Sequence, residues 1–209
     1  MNSKTTIRVA AASLMFFSAA TAGAQIGLPS NSVPATRDSF RVQPVRNEAP
    51  LELRASVSER MLYVTRGDTT LKTFQVAVGT ARYPTPRGTF RIRKMIWNPS
   101  WRPPPNSEWA RGKKARGPGE PGNPMKVVKI FFKEPDYYIH GTDAVESLGS
   151  AASHGCLRMD PEEVAELAKL IMEHGGQPRE ENWFLRLIHS RREEKPIYLD
   201  NPVWITIDA

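Results

Sequence analysis

The sequence predicts a mostly β domain of the α+β class, with a mixed sheet or β-sandwich, one or two packed helices and a long loop. Short stretches of alternating apolar residues occur on both sides of an irregular segment rich in proline and glycine. One strongly capped amphipathic helix follows in the C-terminal third. A chain of 209 residues is long enough for one domain with a real hydrophobic core.

The N-terminus, residues 1–24, has the features of a secretory signal peptide. Two basic residues precede an apolar run from Val9 to Ala20, and small residues end at Ala24. Cleavage is therefore expected before Gln25. The run is too short for a typical membrane span, although an uncleaved anchor helix is the alternative. We expect export to the periplasm or cell envelope, with no stable membrane insertion after cleavage.

Residues 25–50 scatter Pro, Ser, Asn and Thr among single apolar residues and show no sustained period, which predicts a flexible linker. The folded domain is then expected over residues 51–209. Removal of Lys4 and Arg8 with the signal lowers the net charge from +7 to +5. A basic exported protein favours an anionic partner such as the cell wall or membrane surface, and a simply solvated surface is equally compatible with this charge. No nucleic-acid partner is expected.

Alternation of apolar residues places the predicted strands in order along the domain. They cover residues 53–57, 60–65, 71–78, 90–97, 126–132, 136–139, 196–199 and 203–207. In the third of these strands, Leu71, Phe74, Val76 and Val78 are the apolar positions. The strand over residues 136–139 brings His140 to its end, where the sheet behind it holds the side chain in place.

The clearest helix begins after Asp160, a good N-cap that is followed by Pro161 in the first turn and by Glu163, which completes a capping box. Helical spacing predicts one apolar face, formed by Val164, Leu167, Ala168 and Ile171. The glycine pair at residues 175–176 is expected to end the helix. A second, shorter helix is predicted over residues 182–192.

Residues 98–124 are the most irregular part of the chain and include two tryptophans and a basic run of four residues. A long loop inside a compact domain is often a lid or binding loop. Exposed Trp101 and Trp109 would cover an extended ligand, and the cations would pair with its carboxylates. The alternative is a disordered, solvated excursion.

Residues 139–158 hold the only cysteine of the chain and two of its four histidines, among several glycines. A thiol, imidazoles and free main-chain N–H groups are the parts of an acyl-transfer site. A lone cysteine is also commonly a small buried hydrophobe. In an oxidising compartment, however, an unpaired cysteine is either joined to another chain or kept as a reactive thiol.

The motif resembles the signature of the L,D-transpeptidase catalytic domain (YkuD-like) family of peptidoglycan cysteine transpeptidases. The resemblance rests on residues 140–142 (His-Gly-Thr), 147–149 (Ser-Leu-Gly) and 153–158 (Ser-His-Gly-Cys-Leu-Arg). Residues 85–90 (Thr-Pro-Arg-Gly-Thr-Phe) resemble a further element of the family. More loosely, the likeness extends from about Leu51 to Ile207, and it implies the family's fold for this whole region.

The resemblance implies a role for each residue of the motif. Cys156 is the nucleophile, and His140 is its proton acceptor, oriented by the carbonyl of Gly141. The turn Ser153, His154 and Gly155 shapes the loop, and the N–H groups of residues 154–156 are available as an oxyanion hole. Arg158 is a candidate for holding a substrate carboxylate.

The same resemblance implies acyl transfer from a peptidoglycan stem peptide to an amine, without metal or cofactor. We expect the Cys156 thiol to be more acidic than a free thiol because an imidazole lies near it. A hydrolase that gives the same thioester to water is one alternative. A wall-binding or metal-binding module that uses His140, His154 and Cys156 as ligands is another.

Overall fold

The computed structural model describes residues 49–209, except Asn106 and Arg191. The predicted signal peptide over residues 1–24 lies outside the described residues, as does the predicted linker up to residue 48. Within the described part of the chain, neither helix has the length and apolar run needed to cross a membrane.

Ten strands and two helices form the described part of the chain. The strands are β1 (Leu51–Ser56), β2 (Met61–Arg66), β3 (Thr69–Gln75), β4 (Val78–Gly79), β5 (Gly88–Trp97), β6 (Lys126–Lys133), β7 (Tyr137–Gly141), β8 (Ala151–Ser153), β9 (Leu157–Met159) and β10 (Lys195–Asp208). The helices are α1 (Pro161–His174) and α2 (Glu181–Ser190), and short 3-10 helices cover Glu108–Ala110 and Val145–Ser147.

Eight strands form one mixed sheet in the order β3-β2-β1-β10-β5-β6-β7-β9, and β4 pairs with β8 in a small parallel sheet. In the large sheet, β1 with β10 and β7 with β9 are parallel pairs, while the other neighbours are antiparallel. The predicted mostly β class, with a mixed sheet and two helices, is confirmed.

The single strand predicted over residues 71–78 is wrong, because the chain leaves the sheet after Gln75. β3 is the edge strand, and Leu71 on it is 37% exposed. Ala77 instead exchanges two backbone hydrogen bonds with Arg158, of 3.0 and 2.9 Å. Pairing with the segment after the cysteine therefore breaks the strand in two.

The two closing strands predicted over residues 196–199 and 203–207 are one strand, β10, with a register shift between Tyr198 and Val203. At this irregularity the N–H groups of Asp200 and Asn201 donate to the carbonyl of Gly175, at 2.9 and 3.1 Å. The interruption in the apolar pattern therefore marks the point where β10 supports the end of α1.

The main core lies between the large sheet and α1, which packs on β6 and β7. The predicted apolar face of α1 is fully buried and comprises Val164, Leu167, Ala168 and Ile171. Asp160 caps the helix as predicted, since its Oδ1 accepts hydrogen bonds from the N–H groups of Glu162 (2.8 Å) and Glu163 (3.4 Å). The backbone N–H of Gly175 donates to the Ile171 carbonyl at the other end.

A second, smaller apolar cluster lies on the opposite face of the sheet, because successive side chains of a strand point to opposite faces. It is covered by the irregular loop between β5 and β6. Its buried members are Trp101, Met125, Phe131 and Tyr138, with Ile96, Trp109 and Cys156 packed against them. The sheet thus has a hydrophobic layer on each face at its β6–β7 end.

Replacing Asp160 by Ala should lower the free energy of unfolding by about 1 kcal/mol, because two N–H groups at the start of α1 lose their acceptor. The Asp160→Ser variant keeps an acceptor oxygen and should retain most of the stability. Urea denaturation followed by circular dichroism measures both values. Equal stability of Asp160→Ala and the unaltered protein would contradict this account of the cap.

Candidate active site

The loop between β5 and β6 is a fixed structure within the described residues. Trp101 and Arg116 exchange two backbone hydrogen bonds of 2.8 Å, which closes the loop. The side chain of Asn123, which is buried, donates to the Pro99 carbonyl and accepts from the N–H of Met125, both at 2.9 Å. Trp101 is only 5% exposed, so the expectation of an exposed tryptophan at this position is wrong.

A cavity of about 930 Å³ lies between this loop and the strands β7 and β9. Of the seven candidate site residues in the cysteine motif, five line it: His140, Ser153, His154, Cys156 and Arg158. The structure therefore brings His140 of β7 to the same cavity as the residues around Cys156, although a 3-10 helix and β8 lie between them in the sequence. Gly141 and Gly155 belong to the framework behind this cavity.

His140 lies in β7 and is only 3% exposed. Its Nδ1 is 2.9 Å from the carbonyl oxygen of Gly141, and a carbonyl only accepts, so Nδ1 carries the hydrogen. Nε2 is then the unprotonated nitrogen. Burial lowers the pKa of His140 to about 4, assisted by the charges of Arg158 and Lys129 and opposed by the Gly141 hydrogen bond. At neutral pH the ring is a neutral base.

Cys156 is partly exposed at the cavity, yet its thiol packs against the second apolar cluster. Sγ donates to the carbonyl of Asp136 at 3.4 Å. Burial raises the pKa of Cys156 to about 11, against the opposing effects of the Tyr138 backbone and the charges of Arg158 and Lys129. This direction is the reverse of the expected acidic thiol, because apolar surroundings disfavour the thiolate more than its neighbours stabilise it.

Ser153 holds the turn that carries the cysteine. It is 1% exposed, and its Oγ donates to the carbonyl of Cys156 (2.5 Å) while accepting from the N–H of Gly155 (3.1 Å). The Gly155 N–H is therefore occupied and does not join an oxyanion hole. Within the described residues, the N–H groups of His154 and Cys156 have no hydrogen-bond acceptor. Two donors, rather than three, remain available.

Gly155 adopts φ +108°, a region that favours glycine. A Cβ there would lie 2.8 Å from a ring carbon of Tyr137 and 3.3 Å from the Pro84 carbonyl oxygen. Glycine is therefore required here because protein neighbours would crowd any side chain. At Gly141, a Cβ would lie 2.7 Å from the Lys126 carbonyl oxygen, so glycine permits the close approach of β6 and β7.

His154 is exposed and takes part in an aromatic stack. Its ring lies 4.1 Å from that of Trp109, nearly parallel at 21°, and 4.9 Å from that of Tyr83. Burial is the main cause that lowers the pKa of His154, and the positive charges of Arg158 and Lys113 lower it further. The stack joins the loop to the cysteine turn. His154 therefore lines the cavity, whereas it lies outside the buried layer that holds His140.

Arg158 contributes a positive charge to the cavity, and within the described residues no carboxylate forms an ion pair with it. Two acidic residues of the cavity are already paired, Glu108 with Arg82 at 2.6 Å and Asp143 with Lys126 at 2.7 Å. A bound carboxylate would therefore find Arg158 unoccupied.

The basic run of the loop is only partly at the cavity. Of Arg111, Lys113, Lys114 and Arg116, Lys113 lines it. Its ammonium group lies 4.9 Å from the centre of the Trp109 ring, on the same loop. One cation of the run is thus placed to meet a ligand, and the other three do not line the cavity.

The described residues do not support the metal-binding alternative. No group of three His, Cys, Asp or Glu side chains lies close enough there to hold a metal ion. His140 uses Nδ1 for the Gly141 carbonyl, and His154 is stacked on Trp109. The three proposed ligands therefore do not converge on one point.

Two neighbours of His140, Tyr138 and Lys129, were not predicted from the sequence as parts of the site. Tyr138 shares a strand face with His140, which period-2 alternation in β7 predicts, and it belongs to the apolar cluster against which Cys156 packs. Lys129 is the cross-strand partner of His140. Only the register of β6 against β7 reveals this, and it depends on irregular pairing at both ends of β6.

The model of one protein family, the L,D-transpeptidase catalytic domain (YkuD), matches residues 52–196. The YkuD protein of Bacillus licheniformis is 30% identical over 147 residues, which cover 69% of this chain and 75% of that protein. The ErfK/SrfK protein of Escherichia coli is 28% identical over 149 residues, covering 68% of this chain and 47% of its own. Both relatives are named as L,D-transpeptidases.

Among solved structures, the chain is similar to an L,D-transpeptidase from Mycobacterium smegmatis, with 17% identity and a TM-score of 0.48. The match covers 77% of this chain and 59% of that one. The chain thus spans between about half and three quarters of the length of the proteins described here.

The alkylation rate of Cys156 by iodoacetamide should rise about tenfold per pH unit from pH 7 to about pH 10. With a pKa of about 11, the reactive thiolate fraction keeps growing over this range. The urea-unfolded protein is the control, since its free thiol should reach its plateau near pH 9. Mass analysis of the peptide that carries Cys156 measures the rate. A plateau below pH 8 in the folded protein would show that the thiol is acidic after all.

Proposed function

Because the chain belongs to the L,D-transpeptidase catalytic domain family, we propose that it is a peptidoglycan L,D-transpeptidase that acts through Cys156. One observation carries the assignment of roles. His140 is buried with Nδ1 fixed on the Gly141 carbonyl, and it opens on the same cavity as the thiol of Cys156. This geometry leaves a neutral imidazole nitrogen as the proton acceptor beside a nucleophile.

The donor in this proposal is a tetrapeptide stem. Sγ of Cys156 attacks the carbonyl carbon at the L-centre of diaminopimelate, and the thiol proton passes to Nε2 of His140. In the resting state the thiol donates to the Asp136 carbonyl, so the S–H bond first turns towards the imidazole. The C–N bond then breaks, and His140 returns the proton to the amine of the departing D-alanine. A thioester remains on Cys156.

An amine of a second stem attacks the thioester in the next step. His140 accepts the amine proton, the C–S bond breaks, and the sulfur recovers a proton as the new amide leaves. The backbone N–H groups of His154 and Cys156 are the proposed donors to the oxyanion in both steps. Arg158 is the proposed partner of a donor carboxylate, since it lines the cavity without an ion pair among the described residues.

The neutral state of both groups determines how charge develops. A thiol of raised pKa and an imidazole of lowered pKa do not form a resting ion pair. Proton transfer therefore accompanies attack on the carbonyl, so negative charge develops on the sulfur only during this step and then passes to the oxyanion. This is general base catalysis, which typically contributes a factor of about 10² to 10⁴ to the rate.

We also propose that the protein is exported. A substrate in the cell wall lies outside the cytoplasmic membrane, and residues 1–24 have a charged start, an apolar run and a small-residue cleavage site. The positive net charge after cleavage suits a wall polymer that carries carboxylates. Together these features support the periplasm or cell envelope as the place of action.

Incubation with a disaccharide-tetrapeptide donor and a D-amino acid should give amine-exchanged or cross-linked products, identified by mass analysis. Cys156→Ala should yield none, and His140→Ala should lower the rate about hundredfold or more because no base accepts the thiol proton. His189→Ala changes an exposed histidine of α2 and serves as the control. Tripeptide as the only product at saturating amine would make the enzyme a hydrolase. Full activity of Cys156→Ala would remove the catalytic assignment.

The loop cation at the cavity should assist donor binding. Lys113→Ser is expected to raise KM about threefold with little change in kcat, as for a lost exposed ion pair. Lys114→Ser removes the neighbouring charge, which does not line the cavity, and should leave KM unchanged. Steady-state kinetics with the muropeptide donor compare the two variants. A matching rise in KM for both would mean that the loop attracts the donor by net charge alone.

A further inference from the structure

Lys129 occupies an unusual position beneath the candidate active site. It lies in β6, and the strand register sets it directly beside His140 of β7, which in turn pairs with Arg158 of β9. The three residues form one cross-strand row, with the imidazole between two cations. The Lys129 ammonium group lies 5.2 Å from the ring centre of Tyr138 and 5.7 Å from that of Phe131.

The charge of Lys129 is held without an ion pair. Its side chain is partly buried, and burial lowers the pKa of Lys129. No ion pair within the described residues includes it. The carboxylate that acts on it most, Glu194, accepts hydrogen bonds of 2.6 Å from the N–H and the hydroxyl of Ser100. Partial burial of an unpaired cation costs free energy. A lysine at this position is therefore expected to have a function that offsets this cost.

We propose that Lys129 is a positioning residue that stabilises the negative charge of Cys156 as the thiol gives up its proton. The proposal rests on the proposed function of Cys156 as the nucleophile. Tyr138 is the element between them, because Cys156 packs against the apolar cluster that contains Tyr138, and the Tyr138 ring contacts the ammonium group. In surroundings of low polarity, a single charge at such a place has a larger effect than it would in water.

Arg158 does not make Lys129 redundant. Arg158 lines the cavity, so a bound donor carboxylate would neutralise much of its field. Lys129 lies behind the cavity wall and keeps its charge whichever substrate is bound. The row thus separates two tasks, with Arg158 facing the substrate and Lys129 facing the nucleophile.

The charged and titratable groups around Lys129 come from four parts of the fold: Lys94 of β5, Tyr138 and His140 of β7, Cys156 and Arg158 of the cysteine turn and β9, and Glu194 before β10. Lys94 already pairs with Glu134 at 3.6 Å. Of the described cations, Arg158 and Lys129 are the ones that favour the Cys156 thiolate. Removal of Lys129 therefore leaves one cation for this task.

The test is the pH dependence of Cys156 alkylation by iodoacetamide in three variants of the full chain. Lys129→Met keeps the apolar stem and should slow alkylation at pH 8 roughly tenfold, as if the thiol pKa rose by about one unit. Lys129→Arg restores a cation and should recover most of the rate. Lys72→Met removes a charge from β3, at the opposite edge of the sheet, where Lys72 pairs with Glu166 at 2.7 Å. The pH profile of Cys156 alkylation in Lys72→Met should match that of the unaltered protein.

A Lys129→Met profile that coincides with that of the unaltered protein would overturn the proposal. So would a slow Lys129→Arg variant, because it would show that shape rather than charge matters at this position. Circular dichroism melting of each variant identifies a folding defect, and Lys129→Arg remains informative if Lys129→Met is unstable. Alkylation requires no peptidoglycan. A Cys156→Ala variant that retained transpeptidation would therefore end the proposed function while leaving the measured Lys129 effect in place.

Discussion

The register in which β6, β7 and β9 pair is the constraint on which the candidate site depends. It aligns Lys129, His140 and Arg158 in one row on one sheet face. A shift of one residue would turn His140 into the core under α1. The register is held by the close approach at Gly141, by α1 packed below, and by the paired backbone bonds between Ala77 and Arg158. The positions of these site residues thus depend first on the sheet and only then on the loop.

The irregular loop shields this part of the sheet from water. Trp101 and Met125 cover the face on which Tyr138 and Cys156 lie, so both the thiol and the imidazole are held in their neutral forms. A neutral pair avoids an ion pair in apolar surroundings, which would be costly to hold before substrate arrives. In the proposed mechanism, charge appears only during attack, and the backbone donors at residues 154 and 156 and the flanking cations then stabilise it.

Local patterns in the sequence predicted most of the fold. The α1 cap, its buried face and most strands follow from spacing alone, and the motif around His140 and Cys156 identified the family. Non-local pairing determines the rest. The break after Gln75 comes from pairing with Arg158, and the positions of Lys129 and Tyr138 beside His140 come from strand register. The thiol's pKa was predicted in the wrong direction, because its apolar cover is supplied by Trp101 and Phe131, which lie far from Cys156 in sequence.

The loop is held more firmly at its base than at its tip. Its base is fixed by buried contacts, namely the Trp101–Arg116 pairing and the Asn123 side chain. Its tip meets the cysteine turn through the Trp109–His154 stack, and it meets the segment between β4 and β5 through the exposed Arg82–Glu108 pair. Such surface contacts contribute about 1 kcal/mol each or less. The base of the loop, with the buried Trp101, therefore supplies the apolar cover of the thiol, and the tip adds only weak contacts to it.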